Sequence, residues 1–91
     1  MSLTEEVSGI SNEIQSRVRS GERPTLVLQD IFLARYNGKA KIFHALMQLG
    51  MSSQEAMRVT GRTTGTILTE MTTAQVDEAI IKMIGSNEYD H

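Results

Sequence analysis

An all-α domain, a compact bundle of five or six short helices, is the expectation from these 91 residues, and three observations carry it. Apolar residues recur at steps of three and four along most of the chain, the period of a helix that buries one face. Ser or Thr followed three places on by Glu or Gln stands before three of those runs, the pattern in which side chain and backbone satisfy each other's unpaired groups at a helix start. Glycines follow the runs, where a helix needs a residue that tolerates a left-handed turn.

The first helix is expected over residues 3–20. Leu3, Val7, Ile10, Ile14 and Val18 form its stripe, Ser2 and Glu5 its capping box, and Gly21 its end. A stripe this narrow serves a core seam or a seam between two copies. A chain this short buries a limited share of its surface, so a homodimer through these five side chains is expected. Pro24 opens a second helix over residues 24–36, because a proline at the first helical position forfeits no hydrogen bond. Val27, Leu28, Ile31, Phe32 and Leu33 make it apolar over more than half its circumference, which marks it as the central helix. A strand over residues 25–28 is the alternative. Asn37 and Gly38 stop this segment, and a third helix, residues 39–49, carries Ala40, Phe43, Leu46, Met47 and Leu49 before Gly50.

Ser52 and Glu55 cap a fourth, two-turn helix through Ala56, Met57 and Val59 that Gly61 is expected to close. Residues 62–73 hold six threonines and one glycine, a poor helical composition, yet Ile67, Leu68 and Met71 keep a helical spacing behind Thr63 or Thr64 as cap. Thr72 and Gln75 cap the last helix, whose stripe of Val76, Ala79, Ile80, Met83 and Ile84 stops at Gly85. Residues 1–85 thus read as one helical domain and residues 86–91 as a flexible tail. The core must be aliphatic, since there is no Trp and only four aromatic residues accompany 20 Ile, Leu and Val and six Met.

Chemistry is constrained by what is absent. With no cysteine there is no disulfide, thiolate nucleophile or Cys-based metal site, and reducing cytoplasm is the expected location. No apolar run approaches the roughly 20 residues needed to span a bilayer. His44 stands near Lys41 without a nucleophile or carboxylate at a spacing that would use it as a base, and the two histidines form no ligand pair. The chain is therefore read as non-enzymatic, with no metal, cofactor or small-molecule substrate. The stretch from Asn37 to Lys41 has the Gly-Lys of a phosphate loop but lacks its first Gly and its Ser or Thr, so a helix stop followed by solvated lysines accounts for it.

Charge is patterned. Residues 31–62 carry five basic side chains and one acidic, whereas the flanking thirds are acidic, for a net charge of −2. At the end of that centre and just beyond it, residues 53–60 as a capped helix, residues 61–63 as a turn containing Gly61, and residues 64–71 as a second helix resemble the helix-turn-helix of DNA-binding domains. Met57 stands where that family places a small residue and Arg62 where it places an aliphatic one, while Ile67 matches its buried aliphatic position. The resemblance implies a DNA-binding regulator. Residues 64–71 would enter the major groove, Thr63, Thr64 and Thr66 would touch phosphates or thymine methyls, and Lys39, Lys41, Arg58 and Arg62 would hold phosphates together with Arg35. The alternative is a helical protein-interaction module, a dimeric adaptor or a cap on a partner protein, for which Met47, Met51 and Met57 supply adaptable apolar surface. A basic face gathered around the threonines favours DNA, and cations scattered about an exposed methionine groove favour the adaptor.

Overall fold

Five helices make up the described part of the chain, which in the computed structural model comprises residues 2–65 and 71–89. They are α1 (Leu3–Arg19), α2 (Pro24–Ala34), α3 (Gly38–Gln48), α4 (Ser53–Thr64) and α5 (Thr73–Tyr89), with no strand among the described residues. Residues 25–28 are helical: Pro24 sits in the first turn of α2, where its fixed φ suits a helix and its missing N–H leaves nothing unpaired.

Local capping sets three of the starts. Ser2 Oγ accepts from the Glu5 amide at 3.2 Å, Ser52 Oγ from the Glu55 amide at 3.2 Å, and Thr72 and Gln75 exchange two bonds of 3.1 and 2.8 Å. In α2 the acceptor comes from elsewhere. Asp77 on α5 takes the Thr25 backbone N–H at 2.8 Å and the Thr25 hydroxyl at 2.5 Å, while Arg23 Nε reaches its other oxygen at 2.6 Å. Burial alone would raise the Asp77 pKa, but the bonds from Thr25 and Arg23 outweigh it and hold the carboxyl below its ordinary value. A carboxyl depressed in the folded state stabilises above its unfolded pKa of about 3.9, and that contribution is lost as the pH falls through the folded value. Asp77→Ala is expected to cost about 1–2 kcal/mol at neutral pH by leaving the Thr25 amide without its acceptor. Urea titrations at pH 7 and near pH 3 check this, since the gap between wild type and variant must narrow in acid.

α2 packs on all four other helices and is the centre of the bundle, as its apolar circumference requires. Around it Ile10 and Ile14 of α1, Ile42 and Leu46 of α3, Val59 of α4 and Val76 and Ile80 of α5 are fully enclosed, so the core is aliphatic. The radius of gyration, 12.0 Å, equals the roughly 12 Å of a close-packed chain of this length. Gly38 lets α3 start against the end of α2: a Cβ there would lie 2.8 Å from the Phe32 carbonyl oxygen. Arg17 ties α1 to the next connection and to α2, reaching Glu13 at 3.1 Å, Glu22 at 2.7 Å and Asp30 at 2.7 Å. Its hydrogen bonds hold the Glu22 carboxyl below the usual range.

Three expectations are corrected. Gly61 does not close α4, which continues to Thr64 and ends at Gly65, whose φ of 70° is the left-handed cap. Mid-helix glycine costs only about 1 kcal/mol relative to alanine, and here Gly61 is buried. Gly85 likewise does not end α5, which runs on to Tyr89, so residues 86–89 are not a tail. Asn87 Nδ2 donates to the Leu49 carbonyl at 2.8 Å and pins those last turns to the end of α3. The dimer seam is the third. Val7, Ile10 and Ile14 are buried inside the chain's own core with Val18 packed against it, and of the five only Leu3 stands exposed. α1 spends its stripe on α3 and α2.

Candidate functional site

α3 presents two stripes. Ile42, Ala45 and Leu46 face the core, and beside them Lys39, Ala40, Phe43, His44 and Met47 run along a partly open flank. α4 lies across that flank with Met57 and Thr60 toward it. Between the helices is an open groove of about 350 Å³ lined by Asn37, Lys39, Ala40, Phe43, His44, Met57 and Thr60. Its walls are chiefly hydrocarbon. Met57 is 54% exposed, and the Phe43 and His44 rings meet edge to face with centroids 5.4 Å apart.

The polar groups around this groove are placed by the start of α3. Asn37 adopts a left-handed conformation, φ 55°, which asparagine tolerates better than most residues. Its side chain makes no capping bond, and the first turn of α3 holds no acidic residue. The Thr60 hydroxyl is also without a partner among the described residues: it is buried, and no hydrogen bond from them reaches it. Its neighbours differ, for Thr63 donates to the Val59 carbonyl at 2.9 Å and Thr64 to the Thr60 carbonyl at 3.0 Å.

The residues expected to grip DNA do not converge. Lys41 Nζ lies 2.7 Å from Glu6 Oε2 with its side chain only 14% exposed, and its hydrogen bond and charge hold the Glu6 carboxyl below its usual value. Arg35 is bound to Glu13 at 2.7 Å. Thr63 is buried, and Thr64, on the last turn of α4, gives its hydroxyl to backbone. The expected turn at residues 61–63 is helix, and Thr66 with residues 67–70 of the expected second helix lies outside the described residues. Lys39, Arg58 and Arg62 remain exposed and in no ion pair among the described residues. Arg58 and Arg62 sit one turn apart on α4, and Lys39 borders the groove.

The groove itself was not assembled by the sequence reading. Met57 reads as adaptable surface from the sequence, but Ala40, Phe43, His44 and Thr60 point to a groove only once α3 and α4 are paired. One hint was present: a threonine between Val59 and Gly61, at a buried position of an amphipathic helix. Among the described residues no three His, Asp or Glu side chains gather as metal ligands, and no helix is long and apolar enough to cross a membrane. No protein-family model matches the sequence, and neither a curated protein nor a solved structure is similar enough to match it.

Proposed function

We propose that this chain is a protein-interaction module that acts by binding, and that it takes an apolar segment of a partner protein into the groove between α3 and α4. The observation that carries this reading is the groove: an open hydrocarbon channel with an exposed, adaptable methionine on one wall. Its volume suits one or two large side chains rather than an extended ligand. Helices that dock on such channels use a few apolar anchors one turn apart. The cations lend weight from the other direction. With Lys41 and Arg35 closed on α1 carboxylates, three of the five cations expected to hold phosphates are left, which weakens the electrostatic attraction on which duplex affinity rests.

Selection of random displayed peptides on the purified chain is expected to enrich sequences with a recurring large apolar residue. Met57→Lys, which charges an exposed position and leaves the core intact, is expected to retain few of them. Absence of enrichment overturns the proposal. Duplex DNA titrated at about 50 mM and about 200 mM salt supplies the opposing arm. Tight, salt-sensitive binding that weakens on Arg62→Ala would put a DNA-binding regulator in the module's place.

A further inference from the structure

We infer that the partner segment is acidic: a large apolar side chain enters between Phe43 and Met57, and a carboxylate beside it is held by Lys39 and the uncapped first turn of α3. This rests on the interaction reading above and names the chemistry of the same groove.

Charge complementarity is the first support. Among the described residues no carboxylate lines the groove, and the one charged side chain that does is Lys39. Arg17, Arg23, Arg35 and Lys41 are closed on the domain's own acids, whereas Arg58 and Arg62, which do not line the groove, stay open like Lys39. Lys39 makes no such pair among the described residues.

The second support is the start of α3. α1, α4 and α5 carry hydroxyl caps and α2 borrows Asp77, whereas among the described residues no side chain accepts from the first amides of α3. Those amides belong to residues that line or adjoin the groove, and unpaired N–H groups at the positive end of a helix favour a carboxylate.

Thr60 supplies the third, which is independent of the helix end. A threonine in a helix ordinarily donates to the carbonyl four residues back, as Thr63 and Thr64 do. Thr60 lines the groove, and its hydroxyl makes no hydrogen bond among the described residues. A buried hydroxyl without a partner is unfavourable in the free chain, and one rotamer step of about 120° at χ1 re-aims it. A backbone carbonyl or carboxylate of a seated segment is the acceptor it lacks.

The test compares peptide selections on wild type and on Lys39→Glu, followed by affinities of one selected peptide. On wild type, Asp and Glu are expected within a few positions of the apolar anchor. On Lys39→Glu that acidic preference should vanish, and the selected peptide should bind about tenfold more weakly. Thr60→Val should weaken the same peptide about three- to tenfold while raising the thermal midpoint of the free chain by roughly 4 °C. A purely structural threonine cannot give that opposed pair of shifts. Apolar anchors without acidic neighbours would overturn this inference and leave the interaction reading standing; no recurring anchor would overturn both. A Thr60→Val chain that gains stability but binds unchanged would remove Thr60 from the contact.

Discussion

Ile14→Ala is expected to lower the free energy of unfolding by about 3 kcal/mol and to leave the mass of the particle in solution unchanged. Ile14 is wholly enclosed between α1 and the rest of the core, so truncation removes buried methyl and methylene groups and leaves a cavity that rigid neighbouring helices fill only in part. A small domain has about 5–15 kcal/mol in all, so the loss should appear as a large drop in the urea midpoint at constant slope. Leu3→Ala, at the exposed end of the same stripe, should stay within about 0.5 kcal/mol. Light scattering beside the denaturation curves separates the two roles of α1. A core helix changes stability alone, whereas a dimer seam would change the mass, and that second result would contradict the packing described here.

Gly38→Ala is expected to destabilise by about 2 kcal/mol, against the general preference of helices for alanine. Propensity favours the substitution by about 1 kcal/mol. The new Cβ, however, would stand 2.8 Å from the Phe32 carbonyl oxygen and 3.0 Å from its Cα, and backbone atoms cannot rotate aside as a side chain can. The end of α2 and the start of α3 must separate, and the groove residues Asn37 and Lys39 move with that corner. Gly9→Ala is the control, because Gly9 lies within α1 with nothing within 4 Å of its added Cβ. It should stabilise by about 0.5–1 kcal/mol. Thermal melts of the two variants must therefore shift in opposite directions.

What could be read from the sequence is what neighbouring residues decide among themselves. The boxes at Ser2, Ser52 and Thr72 link residues three apart; the last reappears as two reciprocal hydrogen bonds and the first two as the bond to the serine hydroxyl alone. Apolar residues over more than half the circumference of residues 24–36 mark the central helix. What was misjudged depends on contacts across the chain. Gly85 looks like a stop until Asn87 is seen bound to Leu49, and Gly61 looks like a turn until it is seen buried with Val59 and Thr63 on the packed face of α4. Basic residues 31–62 look like a free cationic surface, but Glu6 and Glu13 on α1 take Lys41 and Arg35. Two of the groove's walls lie on separate helices, so no linear pattern places Met57 opposite Phe43.

The carboxylate of Asp77 completes the first turn of a helix that begins at Pro24. During synthesis the chain emerges from its N-terminus, and α1 to α4 are all made before residue 77. Until then the Thr25 amide has only water as its acceptor, and the central helix lacks one of its packing partners. Folding of the bundle is thereby tied to the synthesis of α5, and a chain truncated before α5 would leave the ribosome with its most apolar helix unfinished.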